Sequence, residues 1–199
     1  MPTCIMAHPN RQAEAEHLAH SLHAPIIWDR GLGENDTGDR AWEHALTLDG
    51  EWVTVIQDDA QPIIGFLNHL EQGITNRPED AQAFSWYLGT ARPPQWQTRI
   101  TKALNTDTAW LVCPQLLHGV AVTLHRSHVT PMLQAVHGSQ KAYDYRIGHY
   151  LRRQRIPVYY PASSLVDHKD EPSLLGHDKE PRKAHRLGAP EWNQRTKAI

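Results

Sequence analysis

Two hydrophobic periods alternate along residues 1–70. Residues 3–7 form a short, mostly apolar run that reads as a strand. It stops at His8-Pro9, because proline has no amide N–H to give to a ladder. Ala15, Leu18, Ala19 and Leu22 then recur at helical spacing, which predicts an amphipathic helix over 11–23. Pro25 leads into a second strand, Ile26–Trp28. The stretch 29–39, rich in Gly, Asp and Asn, reads as a loop, and Ala41, Trp42, Ala45 and Leu46 mark a short helix after it. A third strand, 52–56, runs directly into Gln57-Asp58-Asp59-Ala60.

Pro62 is placed as the first-turn proline of a helix whose apolar face is Ile63, Phe66, Leu67 and Leu70. Strands are then expected at 83–88, Trp110–Cys113 and 120–124, with a loop at 92–94 and a connection at Leu117-His118-Gly119. From Thr130 the pattern turns helical. Tyr143, Ile147, Tyr150 and Leu151 give one apolar stripe, and Arg146, His149 and Arg153 lie on another face. A last strand, 158–160, closes at Pro161. Beyond Lys169 the chain is polar and contains Pro172, Pro181 and Pro190, the pattern of an irregular tail wrapping the domain.

Strand and helix in alternation predict an α/β fold, a Rossmann-like mixed, mostly parallel sheet with helices on both faces. The expected organisation is one domain over 1–168 followed by a C-terminal tail over 169–199. Ligands of such sheets bind at the carboxyl ends of the strands. That rule places His8, Asp29, Asp58 and Asp59 on one rim.

Composition narrows this picture. With 199 residues, one α/β core can be built, and two sizeable cores cannot. No apolar run approaches the roughly 20 residues that span a bilayer, and Met1 is not followed by a signal-type segment. The expectation is a cytoplasmic protein with no membrane partner. Cys4 and Cys113 lie in apolar segments and read as small core residues, which excludes a disulfide scaffold or zinc ribbon. Charge is uneven: residues 1–90 carry 4 basic and 14 acidic groups, whereas 91–199 carry 16 basic and 8 acidic groups. An acidic half able to hold a cation, joined to a basic half able to hold phosphates, suits a metal-bound polyanionic substrate, although surface drift gives the same imbalance. His17, His20 and His23 spread over roughly 120° of a helix with no acid among them, so they read as solvated.

Asp58 and Asp59 stand next to each other after an apolar strand, so they point to different sides. One can meet a cation while the other holds a ribose or a water. Two aspartates in this position also begin loops or cap helices.

Four short blocks bear on that choice. They are Met6-Ala7-His8-Pro9-Asn10-Arg11, Val55-Ile56-Gln57-Asp58-Asp59-Ala60, Tyr143-Asp144-Tyr145-Arg146 and Ser164-Leu165-Val166-Asp167-His168. In them the chain, over residues 5–186, resembles the GT-A fold nucleotide-sugar glycosyltransferases of the small family 2 and family 25 type found in bacteria and phages. The resemblance implies a hexosyltransferase using Mn2+ or Mg2+ and a UDP-sugar donor. It implies metal ligation by Asp59 and His168 with Asp58 close by, and a general base at Asp144. Gln57 stands where the family has its first acidic residue, so a contact to the nucleotide there runs through an amide. By the same likeness His8 joins the donor site, and Asp29 on the rim and Asp36 before Arg40 are candidates for it. Arg11, Arg40, Arg182 and Arg186 are candidates for bidentate phosphate contact, with Arg40 read as lying at a helix mouth. Arg182 and Lys183 are placed to fold over the donor.

The resemblance implies a hydroxyl acceptor. The basic run Arg146, Arg152, Arg153 and Arg155, interleaved with Tyr143, Tyr145 and Tyr150, reads as a polyphosphate track with stacking rings. That suits DNA, and the resemblance to small phage enzymes implies 5-hydroxymethylcytosine as the acceptor base, with Trp96 or a tyrosine replacing a flipped base and a phage-encoded enzyme working in the host cytoplasm. A glycan or small-molecule acceptor, a nucleotidyltransferase and a non-enzymatic nucleic-acid-binding module are the competing readings. Against the nucleotidyltransferase, no glycine-rich, lysine-containing phosphate loop follows the first strand.

Overall fold

The computed structural model describes residues 1–169 and 183–199. The strands are β1 (Thr3–Ala7), β2 (Ile26–Trp28), β3 (Trp52–Gln57), β4 (Ala60–Pro62), β5 (Ala83–Ser85), β6 (Trp110–Cys113), β7 (Ala121–His125), β8 (Val158–Pro161), β9 (Val166–His168) and β10 (Thr196–Ala198). The helices are α1 (Gln12–Leu22), α2 (Glu34–Ala45), α3 (Phe66–Thr75), α4 (Pro94–Leu104), α5 (Val129–Val136) and α6 (Tyr143–Arg153).

Eight strands form one mixed sheet in the order β10-β6-β8-β5-β7-β3-β1-β2, and β4 pairs with β9 in a separate two-stranded ribbon. Four of the seven pairings in the large sheet are parallel (β1 with β2 and β3, β5 with β8, β6 with β10); β7 runs antiparallel to both β3 and β5, and β6 to β8. The expected α/β, Rossmann-like mixed sheet flanked by helices is what forms. Alternation along the strands divides the core. Cys4, Met6, Val53 and Val55 face one apolar layer with α2 and α6, whereas Ile5, Ala7, Trp52 and Ile56 face the other with α1 and α3. Both faces are covered, so the central strands read as unbroken apolar runs. Trp42 of α2 donates from Nε1 to the Tyr143 hydroxyl of α6 at 2.9 Å, deep in the first layer. Cys4 and Cys113 are buried free thiols.

Several elements depart from the sequence pattern. The expected loop 29–39 is helical from Glu34, because Gly33 at φ 86° turns the chain and Glu34 and Asp36 favour the positive helix end. Arg40 is therefore in the middle of α2, away from any helix mouth. Pro62 ends β4, opposite Val166, and the helix starts only at Phe66, after Gly65 at φ 74°. Residues 92–94 are a loop only as far as Pro93, since Pro94 opens α4, where a missing N–H costs nothing. Beyond Lys169, the described residues include β10, which extends the large sheet beside β6. Arg146 turns inward and is buried, bonded to Asp39 of α2.

Candidate active site

Parallel pairing of β1 and β3, with Met6 beside Gln57, brings both strands out of the sheet at one edge. The Asp58 N–H donates to the Met6 carbonyl at 3.1 Å, and the His8 N–H donates to Asp58 Oδ2 at 2.7 Å. Arg11, in the turn that links β1 to α1, reaches back over the pair. Its Nη1 donates to Asp58 Oδ1 at 3.0 Å and to Asp59 Oδ2 at 2.6 Å. All three side chains are buried, where adjacent carboxylates need a cation to offset their lost hydration. Burial pushes the Asp58 carboxyl up, helped by the Asp59 charge and opposed by the His8 amide and Arg11. Burial acts to lower the Arg11 pKa, but the two carboxylates outweigh it and the guanidinium is held charged.

His168 arrives from the far end of the chain. The β4–β9 ribbon sets Ala60 opposite His168, and the Lys169 N–H donates to the Asp59 carbonyl at 2.8 Å. His168 Nε2 then lies 3.3 Å from Asp59 Oδ2. Its Nδ1 is 2.7 Å from the Lys169 carbonyl, an acceptor only, so Nδ1 carries a proton and Nε2 is the ring atom turned to the carboxylate. Lys183 Nζ donates to the His168 carbonyl at 3.1 Å and lies 3.4 Å from Asp167.

With Nε2 unprotonated, as a metal ligand must be, the ring and the carboxylate are two acceptors that a cation can join. Asp59 Oδ1 is also buried without a hydrogen-bond partner among the described residues. Donors about 2.1 Å from one Mg2+-like ion at right angles are about 3 Å apart, close to the Asp59–His168 spacing. The pair fits such an ion. Both Asp58 oxygens are taken, by His8 and Arg11, and Arg11 also donates to Asp59 Oδ2, so an ion at the pair would share that oxygen with the guanidinium; among the described residues no three His, Cys, Asp or Glu side chains gather as a metal cluster.

Asp144 opens α6 on the same rim. The Gln57 N–H donates to the Val120 carbonyl at 2.8 Å, and a Cβ on the neighbouring Gly119 would come within 3.0 Å of Asp144 Cβ. Asp144 thus lies across Gly119 from the end of β3, with Oδ1 accepting the Tyr145 N–H at 2.8 Å.

The other expected residues are placed less directly. Asp29 Oδ1 accepts three N–H bonds, from Gly31, Leu32 and Gly33, so it shapes its own loop. Asp36 is shared by Arg30 and Arg40, and Arg40 also donates to the Trp28 carbonyl; this ties α2 to the end of β2. Arg186 is exposed, and Arg182 lies outside the described residues. The polyphosphate track is corrected: Arg146, Tyr143 and Tyr150 are buried, and Tyr145, Arg152, Arg153 and Arg155 remain outside. A groove of about 640 Å³ between α1 and the segment 60–68 touches the site only through Asp58 and Lys169, and its apolar wall of Leu18, Ile63 and Phe66 does not suit a diphosphate.

Sequence reasoning missed His118. Its Nε2 accepts the Gly89 N–H at 3.1 Å, and its ring packs edge-on to Tyr87 at 4.9 Å between centroids. The Tyr87 ring also lies 6.0 Å from that of His168. Burial, then His168 and His185, push the His118 pKa down to about 3. The glycine beside it in the 117–119 connection was the available signal.

Fold and rim together define a Rossmann-like mixed α/β protein with an acidic, histidine-bearing edge. No family model matches the chain, and no curated protein matches it in sequence. Solved structures do match in fold. The mannosyltransferase PcManGT from Pyrobaculum calidifontis, in complex with GDP-Man and Mn2+, superposes with a TM-score of 0.53 at 13% identity over 85% of this chain, which spans 57% of that one. The crystal structure of the STIV protein A197 gives 0.52 at 11% identity, covering 84% of each chain.

Proposed function

We propose that this protein is a metal-dependent glycosyltransferase that takes a sugar from a nucleoside-diphosphate donor. The observation that carries the reading is the Asp59–His168 pair, 3.3 Å apart, on the strand-end rim of a fold shared with a mannosyltransferase whose complex holds a sugar nucleotide and Mn2+. Asp59 and His168 hold the metal in this reading. A bound divalent cation supplies charge neutralisation for the departing diphosphate.

This chain's own groups do the rest. Arg11 keeps the Asp58 carboxylate in place and sits where it can turn to phosphate oxygens. Asp144 accepts the proton of the acceptor hydroxyl as that oxygen bonds to the sugar's anomeric carbon and the bond to the diphosphate breaks. The donor is a UDP-sugar, with GDP-sugars the first alternative. The acceptor is DNA bearing hydroxymethylcytosine, favoured by the exposed Arg152, Arg153 and Arg155 at the end of α6. No helix among the described residues is long and apolar enough to cross a membrane.

The test is incubation with Mn2+, UDP- and GDP-sugars and DNA with or without hydroxymethylcytosine, followed by digestion and mass spectrometry, beside calorimetry of UDP and GDP. A hexose-sized mass gain on the modified base establishes both donor and acceptor. Metal-dependent nucleotide binding without that gain removes DNA and keeps the transferase. Pyrophosphate release from a nucleoside triphosphate, or DNA binding with no affinity for sugar nucleotides, overturns the reading.

A further inference from the structure

His118 occupies the ground between the two halves of the rim. On one side, Tyr87 packs against both His118 and His168, which faces the Asp59 carboxylate, with ring centroids at 4.9 Å to His118 and 6.0 Å to His168. On the other side its chain neighbour Gly119 packs against Asp144. In a sugar transfer the diphosphate lies at the first of these and the attacking hydroxyl at the second. The sugar being transferred must lie between them, because its anomeric carbon is bonded to one and attacked by the other.

The hydrogen bonding of His118 fixes what it offers there. A backbone N–H can only donate, so the bond from Gly89 makes Nε2 an acceptor and leaves the proton on Nδ1. Gly89 is itself held, since Gln97 Nε2 donates to its carbonyl at 3.1 Å and Gln97 Oε1 lies 2.7 Å from His185 Nε2. The His118 carbonyl accepts from Ser85 Oγ at 3.0 Å. The ring is therefore anchored at its base, at its Nε2 edge and on its face, while the residue as a whole stays partly accessible. What remains is one N–H donor, at Nδ1 of a ring held in place by these contacts. Such a group recognises a hydroxyl oxygen, and it does not distinguish a nucleotide or add to phosphate binding.

We propose that His118 binds the donor's sugar, its Nδ1–H donating to a sugar hydroxyl and contributing to the choice of sugar. This rests on the glycosyltransferase reading above. Two conservative variants separate the ring's two edges. His118→Gln keeps an acceptor near Nε2 for Gly89 and removes the donor at Nδ1; His118→Asn keeps a donor near Nδ1 and gives up the Gly89 bond.

Calorimetry with Mn2+ and either the nucleoside diphosphate alone, the nucleotide sugar, or nucleotide deoxysugars provides the readout. The expected result is unchanged diphosphate affinity in both variants. Nucleotide-sugar affinity falls about fivefold to tenfold in His118→Gln, the size of one hydrogen bond, and is largely kept in His118→Asn. One deoxysugar binds the native protein as weakly as the full sugar binds His118→Gln, with no further loss when the two changes are combined. Equal weakening of diphosphate and sugar nucleotide, or a folded His118→Gln protein indistinguishable from the native one on every sugar, overturns the assignment. If the His118→Gln protein does not fold, the native protein still decides: binding every nucleotide deoxysugar as tightly as the full sugar overturns the assignment. Failure of the native protein to bind either nucleotide overturns the transferase reading and this assignment together, an outcome distinct from the others.

Discussion

Asp59 Oδ2 and His168 Nε2 lie 3.3 Å apart, although one follows a strand in the first third of the chain and the other ends β9. The contact depends on the β4–β9 ribbon, which closes antiparallel directly after the Asp58-Asp59 pair. Position alone makes Asp59 the group whose loss is most informative. Asp59→Ala should abolish Mn2+-dependent binding of nucleoside diphosphate, weakening it by about 100-fold or more. Calorimetry with and without Mn2+ measures this, and undiminished metal-dependent binding would take Asp59 out of the metal site.

Asp144 is expected to act on the acceptor only. Asp144→Asn should lower turnover by about 100-fold or more and leave donor affinity nearly unchanged. Joint loss of binding and turnover would mark the residue as part of the framework at the start of α6.

Arg11 has a structural duty whatever its part in phosphate binding. Its Nη1 is shared by Asp58 and Asp59, and the side chains are 11% and 8–9% exposed. Arg11→Gln should cost about 3 kcal/mol of stability, because it leaves two neighbouring buried carboxylates without a cation. Asp58→Asn in the same chain should restore part of that loss. Denaturant titration at pH 7 reads both, and a neutral effect of the single change would show the site to be far more solvated than its burial indicates.

His118 makes stability depend on pH. In the folded protein it resists protonation down to about pH 3, whereas in the unfolded chain it takes up a proton near the ordinary value of about 6.5. The unfolded state therefore binds more protons between these values, and stability falls as pH drops through that window. It is fully present above about pH 6.5. His118→Gln should flatten the decline by up to one proton's worth of slope, measured as denaturation midpoints from pH 7 to pH 4. Identical slopes would mean the imidazole is protonated in the folded state.

How much of this was legible in the chain follows from what local physics encodes. Thr3–Ala7, Ile26–Trp28 and Trp110–Cys113 have the bounds their apolar runs suggest, since a strand covered on both faces shows itself as uninterrupted hydrophobicity. The stripe Tyr143, Ile147, Tyr150 and Leu151 is buried as its spacing requires. Helix α4 was hidden because Arg92-Pro93-Pro94 reads as a break and its buried residues, Ile100, Ala103 and Leu104, all fall in its second half. A proline at the first helical position was the cue. The start of α2 was hidden by Gly, Asn and Asp, residues common to loops and helix entries alike.

The sequence by itself determined an α/β sheet, an acidic pair after its third strand, and an edge where ligands of such sheets bind, because periodicity and strand-end position are properties of neighbouring residues. The tertiary structure decided which side chains share that edge. Arg11 faces the carboxylates, and Arg146 turns inward to Asp39. His168 meets Asp59, and His118 is held between Gly89 and Tyr87. Each contact joins segments distant in the chain, and such pairings are set by how strands register and helices pack, which no local window of sequence contains.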